Sequence, residues 1–352
     1  MADYTSAGFS RPGQKNLTGA TDEMFLKLFS GEVLASFERA TVMQGKVRER
    51  TISGQKSAQF PMIGRASTTG YHAAGEEIVP GQIANNEKII DIEGLMYAST
   101  FVDDWEDMVN HYEVRSAYAK ELGATLGFTY DSQLLKRLIL TAREANALYA
   151  ADNTQKPATA GDNQIVNAKF TKTGETGAAS TGNATDIAEK ADALSTAIFE
   201  ANAKFDEAYV PETQEKFCIL RPKDYYDLLS GTQTSGFSVI NRDYNGAGSY
   251  ADGTVLKIGG ITILKSPNLP SDANTGITDA KNINYYHQGD FEHTVGVIFS
   301  SDAIGVVRLM GLGVQTDYQV HRQGTIMVAR QSIGIGALRP ECVIELSTET
   351  VA

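Results

Sequence analysis

The sequence predicts an α+β fold in which helices and strands do not alternate regularly. Amphipathic helical spacing marks the first and middle parts of the chain, while β-rich runs cover about 46–102 and the region from about 293 onward. Loops rich in Gly, Ser and Asn separate these parts. With 352 residues, 42% of them hydrophobic, the chain is long enough for a sizeable core and for about two domains.

Charge and cysteine content exclude several classes of protein. A net charge of -12 disfavours tight nucleic-acid binding by the molecule as a whole. Cys218 and Cys342 each lie in an apolar run, which predicts buried thiols in a reducing compartment rather than a disulfide scaffold. An apolar leader and a run of about 18 apolar residues are both missing. The sequence therefore predicts a soluble, cytoplasmic chain with neither a signal peptide nor a membrane span.

The N-terminal part is predicted to be a flexible arm followed by a helix. Residues 1–20 are polar and interrupted by Gly and Pro, which is typical of an arm. Thr21 or Asp22 is a suitable cap for a helix to about Arg39. Its apolar stripe fits a core helix or a helix docked on another subunit. The stripe comprises Met24, Phe25, Leu28, Phe29, Val33, Leu34 and Phe37.

A long two-stranded hairpin is predicted between residues 46 and 102. Two β-rich runs, 46–66 and 87–102, flank a turn-rich tip punctuated by Gly and Pro. A strand of about 20 residues reaches roughly 65 Å. A compact chain with the length of this protein has a radius of gyration of only about 20 Å. Because an isolated two-stranded ribbon is marginally stable in water, we expect this hairpin to lie on a neighbouring copy of the chain.

Helices are predicted to dominate the middle of the chain. Four acidic residues between Asp103 and Asp107 suit a helix N-terminus, and apolar spacing predicts a helix over 103–126 that Gly123 and Gly127 bend or weaken. A further helical run covers 131–149, and 151–183 has the composition of a surface loop or mobile insert.

The remainder mixes short strands with helices and loops. Asp186 and Glu189 form a plausible capping pair for a helix to about Glu207. Strands are predicted at 217–221, 255–264, 294–300, 305–310 and 343–346, with a short helix at 222–229. Loops are predicted at 231–236, 241–253 and 267–282.

Motifs of the common enzyme classes are missing. The sequence contains no P-loop, HExxH, CxxC pair or GxSxG. Helix capping explains the acidic residues at 103–107 more simply than cation binding, and His287 with His293 is a poor metal pair. The sequence predicts neither an enzyme nor a cofactor or metal site. Lys46, Arg48 and Arg50 alternate along one strand, which fits either a solvated face or a salt-bridging edge against a neighbour.

Several short segments, in the same order and spread over most of the chain, resemble the major capsid proteins of short-tailed bacteriophages of the autographivirus type. The likeness thins at about 128–205 and 231–300. The segments are 25–34 (FLKLFSGEVL), 50–61 (RTISGQKSAQFP), Gly64-Arg65, Ala74-Gly75-Glu76, 106–116 (EDMVNHYEVRS), 209–211 (YVP) and 336–341 (GALRPE).

The resemblance implies the tailed-phage capsid fold of the Hong-Kong-97 type, with an N-terminal arm, an extended β-hairpin loop, a long spine helix, and peripheral and axial domains. The expected divisions are an arm and helix at 1–45, the extended loop at 46–102, a peripheral domain with spine helix and mobile insert at 103–209, an axial domain at 210–300, and a return to the peripheral domain at 301–352.

The implied function is self-assembly into the icosahedral shell around the double-stranded DNA genome of a tailed phage. The implied partners are other copies in hexamers and pentamers, a scaffolding protein and a portal during assembly, DNA bound without sequence specificity, and, as an optional partner, a decoration protein. Assembly is expected in the host cytoplasm and residence in the virion. The alternative is an encapsulin-like cellular compartment with an enzyme cargo.

The candidate interface residues lie in the extended loop. They are Lys46, Arg48, Arg50, Lys56, Phe60, Arg65, Glu76 and Glu77. Some relatives cross-link subunits through a Lys–Asn isopeptide bond promoted by a Glu, but no motif here fixes such a pair.

Overall fold

The computed structural model describes residues 9–10, 41–63, 85–109, 115–145, 161–170, 184–231 and 257–351, with isolated positions between 71 and 83. The strands are β1 (Phe9–Ser10), β2 (Arg48–Thr51), β3 (Ser57–Ile63), β4 (Asn85–Asp91), β5 (Leu95–Asp103), β6 (Gln164–Val166), β7 (Lys216–Leu220), β8 (Lys257–Ile258), β9 (Ile261–Lys265), β10 (Thr294–Ser300), β11 (Ile304–Gln319), β12 (Gly324–Ala337) and β13 (Val343–Ser347). The helices are α1 (Asp104–Val109), α2 (Arg115–Arg143), α3 (Ala184–Glu207) and α4 (Pro222–Gly231), with 3₁₀ turns at Ala168–Phe170, Val320–Arg322 and Pro340–Cys342.

The strands of the described residues form three sheets. One has the order β1-β5-β12-β11-β2, a second has the order β6-β13-β10-β7-β9-β8, and β3 pairs with β4 alone. This mixture of helices with largely antiparallel sheets confirms the predicted α+β class.

The chain divides into two compact units. The first comprises Met1–Thr41, Glu93–Tyr130 and Arg308–Ile333, and the second comprises the remainder. Helix α2 and strands β11 and β12 contribute residues to both. The five divisions predicted from the sequence stay a prediction.

The first unit is built on the antiparallel pairing of β5 with β12. Phe101 faces Ile326 and Val102 faces Thr325 in this register. Gly324 is required at the start of β12, because a Cβ there would lie 2.5 Å from the Phe101 ring. Leu126 and Tyr130 of α2 are buried in the same unit.

The second unit has a fully buried central strand. All seven residues of β10 are buried, and β10 pairs antiparallel with both β7 and β13. Helix α3 packs on α4, where the buried ammonium of Lys190 lies 2.5 Å from Asp224 and 2.9 Å from Asp227. The second half of α2 is buried through Leu134, Leu135, Leu138 and Ile139.

Glu345 of β13 is the centre of a buried polar network in the second unit. Its carboxylate accepts hydrogen bonds from Arg143 of α2, from Thr294 Oγ1 at 2.6 Å and from Gln164 Nε2 at 3.0 Å. The Arg143 guanidinium also donates to the Asp290 carbonyl at 2.7 Å. A buried charge requires this degree of pairing, because an unpaired carboxylate would cost several kcal/mol, on the order of 3–5.

The structure corrects the predicted hairpin. Within the described residues, Ser57–Ile63 pairs with Asn85–Asp91 as an isolated ribbon, whereas β2 and β5 belong to the five-stranded sheet. The prediction of one ribbon spanning 46–102 was therefore wrong. Gly54, with a φ of 73°, turns the chain between β2 and β3, a conformation that favours glycine.

Helix boundaries also differ from the prediction. The predicted 103–126 helix is instead α1 together with the first part of α2, and α2 runs unbroken through Gly123 and Gly127 to Arg143. The apolar stripe of α2 is buried over several turns, which outweighs a cost of about 1 kcal/mol per glycine. Helix α3 begins at Ala184, before the predicted capping pair, and ends at Glu207 as predicted.

Two segments differ from the strands that the sequence predicted. Residues 164–166, inside the predicted loop of 151–183, form β6 by parallel pairing with β13. The run 255–264 contains two strands, β8 and β9, because Gly259 and Gly260 both have positive φ and make a tight turn. The predicted helix at 21–39 lies outside the described residues.

Candidate subunit interface

The base of the β3–β4 hairpin is fixed to the second unit by an apolar cluster. Ala58 and Ile90 face each other across the two strands and are 5% and 3% exposed. They pack with Val307 and Leu338, and Ile52, Phe60 and Ile92 lie around them. We call this group the hairpin base.

Two glycines at the end of β12 allow the hairpin base to pack closely. A Cβ on Gly334 would lie 2.1 Å from the Asp91 carbonyl oxygen, and one on Gly336 would lie 2.6 Å from the Ile90 side chain. The glycine-rich run at 334–336 is therefore a packing surface for the hairpin base.

The segment that leads into the loop is held by Asp131 of α2. Oδ1 of this buried carboxylate accepts the backbone N–H of Val42 at 3.1 Å and of Met43 at 2.8 Å, while Oδ2 accepts Asn268 Nδ2 at 2.7 Å. Hydrogen bonds to a carboxylate are stronger than those between neutral groups. The entry into the loop is therefore pinned to the helix.

Arginines of β2 contact their own chain. Arg48 Nη1 lies 3.6 Å from Asp302 Oδ1. Arg50 Nη1 donates to the Gln59 carbonyl at 3.1 Å, and its guanidinium lies 5.8 Å from the centre of the Phe60 ring. Both side chains belong to exposed residues, so these contacts orient the arginines and contribute little to stability.

The two faces of the hairpin differ. Ala58 and Ile90 point to the hairpin base, and the ammonium of Lys88 lies 4.0 Å from Glu144, the residue after α2. The opposite face carries Ile63, which is 67% exposed, and Ile89, which is 50% exposed. We call this second surface, formed by Gln59, Pro61, Ile63, Glu87 and Ile89, the outward face.

Six of the eight predicted interface residues lie in the described part of the chain. Lys46 is half-buried, donates to the Val42 carbonyl at 2.5 Å and lies over the Phe217 ring. Arg48, Arg50, Lys56 and Glu77 are exposed, whereas Phe60 packs against the hairpin base. Arg65 and Glu76 lie outside the described residues. Whether any of the eight contacts a neighbour stays a prediction.

Sequence reasoning missed the exposed apolar side chains. Ile63 and Ile89 belong to strands in which buried and exposed residues alternate. A period of two in the sequence was therefore the signal that could have placed them on the exposed face. In the first unit, Leu309, Leu312, Val314 and Tyr318 of β11 are also exposed. Exposed apolar groups mark an interaction surface where they lie side by side, whereas single ones are common on any protein.

The described residues show little that points to metal or thiol chemistry. Over these ranges, no three His, Cys, Asp or Glu side chains converge as metal ligands. Burial raises the pKa of both the Cys218 and the Cys342 thiol to about 12, so neither is a reactive thiolate at neutral pH. Within the described part of the chain, each helix is too short or too polar to cross a bilayer.

Comparisons with known proteins agree with one another. Residues 59–347 match the Gp10A-like family of major capsid proteins. The chain is 27% identical over 341 residues to the major capsid protein of Escherichia phage T7, covering 93% of each, and 28% identical over 330 residues to that of Enterobacteria phage T3, covering 90% of this chain and 89% of the other. The capsid structure of cyanophage P-SCSP1u superposes with a TM-score of 0.73 at 34% identity, covering 98% of this chain and 99% of that one. The mature capsid of bacteriophage PhiM1 gives a TM-score of 0.69 at 17% identity, covering 96% of each chain, and supports the fold alone.

Proposed function

We propose how this chain, which belongs to the Gp10A-like family of major capsid proteins, builds the shell of its phage: each copy holds its extended loop at the hairpin base and contacts the adjacent copy with the rest. The chain is a phage major capsid protein with the tailed-phage capsid fold, and its role is structural. An encapsulin-like compartment is not favoured. The observation that carries the proposal is the contrast between the anchored base and the exposed Ile63 and Ile89.

The predicted domain divisions become part of this proposal. Residues 46–102 contain the extended loop, whose hairpin is β3–β4, the helix that follows acts as the spine, and 210–300 act as the axial domain. Hexamers and pentamers hold together through many individually weak contacts, because each copy is bound at several places at once. The interface residues predicted from sequence belong to this set of contacts.

Further partners are proposed on chemical grounds. A scaffolding protein and a portal act during assembly, and a decoration protein is an optional partner outside. The net charge of -12 supports contact with packaged double-stranded DNA that is weak and independent of sequence. Free, buried Cys218 and Cys342 suit assembly in the reducing cytoplasm of the host, before residence in the virion.

Particle analysis tests this function. The chain is expressed with the scaffolding protein encoded by the same phage, and particles are examined by electron microscopy. We expect closed shells, and in particles from infected cells we expect nuclease-protected DNA. Shells that contain a co-purifying enzyme in place of DNA would support the compartment alternative, and a chain that stays monomeric at high concentration would contradict both.

A further inference from the structure

The register of the hairpin shows which backbone groups lie along its two edges, neither of which pairs with another strand of the described residues. Ile92 N–H donates to the Lys56 carbonyl at 2.8 Å, and the antiparallel register continues this pairing through Ala58↔Ile90 and Phe60↔Lys88. Hydrogen-bonded and non-hydrogen-bonded pairs alternate in such a ladder. The backbone groups of residues 57, 59, 61 and 63 on β3, and of 87 and 89 on β4, therefore point away from the partner strand.

The edge of β3 is interrupted at two successive outward positions. The Gln59 carbonyl, which would accept a bond from an added strand, already accepts Arg50 Nη1 at 3.1 Å. Pro61, the next outward residue, has no N–H to donate. Prolines within strands are confined to edges for this reason, and an added strand would lose bonds at both positions.

The edge of β4 is interrupted opposite Pro61. Glu87 pairs with Pro61 in the register, and its outward N–H donates to Oδ1 of the neighbouring Asn86 at 2.8 Å. An added strand on this side would have to displace the Asn86 side chain. Both edges thus carry features that proteins use to prevent edge-to-edge pairing.

The outward face has the opposite character. The Ile63 side chain is more than half exposed, and that of Ile89 is half exposed. Around them, Gln59, Pro61 and Glu87 are exposed as well. Apolar side chains with a polar surround are typical of a contact surface. The hairpin therefore offers a face for packing and two edges that resist pairing.

We propose that the hairpin binds a second copy of this chain by packing its outward face against it, and that Arg50, Pro61 and Asn86 keep its edges from adding to strands of other copies. This inference rests on the proposed function and replaces the usual expectation that an extended hairpin adds a strand to a neighbouring sheet. A second copy is the occupant because copies of this chain surround each subunit in the shell. Each copy also offers apolar surface of its own, at Leu309, Leu312 and Tyr318 of β11.

The first test compares two isoleucines. Ile89→Lys places a charge on the outward face, and Ile283→Lys makes the same change at a residue that is 44% exposed in the loop before β10. With the scaffolding protein of the same phage, Ile89→Lys should raise the critical concentration for shell assembly by about tenfold or more, because burial of an isoleucine is worth at least that ratio. Ile283→Lys should change it by less than about twofold, and urea unfolding of both monomers should match the parent.

The second test opens the edges. Pro61→Val with Asn86→Val restores an edge N–H and removes a side-chain cap. This pair should leave the critical concentration within about twofold of the parent but divert protein into irregular, thioflavin-positive aggregates. Loss of assembly in the edge pair with normal assembly of Ile89→Lys would overturn the inference in favour of strand addition.

Photo-crosslinking identifies the occupant directly. Benzophenone is introduced at the outward face by Ile89→p-benzoylphenylalanine, and shells are irradiated. A crosslinked dimer of this chain is expected, whereas a crosslink to another virion protein, or none in well-formed shells, would overturn the inference. If the parent chain forms no shells with its scaffolding protein, the proposed function fails, and the inference fails with it.

Discussion

Arg143 and Glu345 form a buried bidentate ion pair, in which Nε and Nη2 of the guanidinium donate to the two carboxylate oxygens at 2.8 and 2.7 Å. The pair joins the end of α2 to β13 within the second unit. Arg143→Ala leaves the Glu345 carboxylate buried without its cation, so the free energy of unfolding in urea should fall by about 3–5 kcal/mol. The double variant Arg143→Met with Glu345→Leu should lose less free energy of unfolding than Arg143→Ala alone.

The exposed pair of Lys169 with Glu189 provides the control for this prediction. Lys169→Ala should change the free energy of unfolding by less than about 1 kcal/mol, because water screens exposed ion pairs. Similar losses at both positions would contradict the special role of the buried pair.

Asp131 should control the order of the segment that enters the loop. Asp131→Ala leaves the N–H groups of Val42 and Met43 without their acceptor, at a cost of about 1–3 kcal/mol for each group that stays buried. Hydrogen exchange of a peptide covering 42–43 should accelerate more than exchange of β10. Asp279→Ala, which removes an exposed carboxylate that accepts a loop N–H, is the control, and unchanged exchange at 42–43 would refute the pinning.

The two buried thiols should make the free energy of unfolding fall at alkaline pH. The folded-state pKa of Cys218 and Cys342 is about 12 against an ordinary value of 9.0, so the unfolded chain loses these protons first. Their contribution to stability is complete below pH 9 and is lost as the pH rises toward 12. Urea unfolding at pH 8 and pH 10 should show this decline, and Cys218→Ala should reduce it; an equal decline in the variant would assign it to other groups.

Deletion of residues 68–84 should separate folding from assembly. The hairpin base stays intact, and 64–67 then join Ile63 to Asn85 through a short connection. We expect a folded monomer with the parent's unfolding midpoint and no closed shells by negative-stain microscopy. Normal particles from this deletion would refute the assignment of the segment as a contact to the next copy.

Charge reversal at Arg48 and Arg50 should weaken assembly more than folding. Both residues are exposed, and loss of the Arg48–Asp302 pair should cost less than about 1 kcal/mol in unfolding. The double variant Arg48→Glu with Arg50→Glu is compared with the parent chain in two measurements. One is the yield of particles, and the other is the free energy of unfolding in urea. Equal losses in both would show that the arginines act chiefly within their own chain.

Strands and helices with strong local signals were predicted well. Strand β10 occupies the predicted 294–300, because a buried central strand is a continuous apolar run. Helix α4 begins at Pro222, where proline is favoured in the first turn. In contrast, β6 was not predicted, because its three residues are too few to show a periodicity of their own. They form a strand because they pair with β13, which lies far away in the sequence.

The candidate interface was predicted only in outline. The charges and the proline at 46–65 indicated the loop, and Gly54 could have indicated the turn that divides β2 from β3. Alternation in β3 showed that one face is apolar but not that Ala58 packs inward while Ile63 stays exposed. That distinction depends on Val307 and Leu338, which reach the loop only in three dimensions.

The parallel pairing of Ile165 in β6 with Leu346 in β13 makes the sheet of the second unit depend on strand β13. A chain whose translation stops before residue 343 lacks β13, so β10 loses one of its two partner strands and Arg143 loses the carboxylate that neutralises it. Such a fragment exposes apolar edges from its own interior and is open to proteolysis.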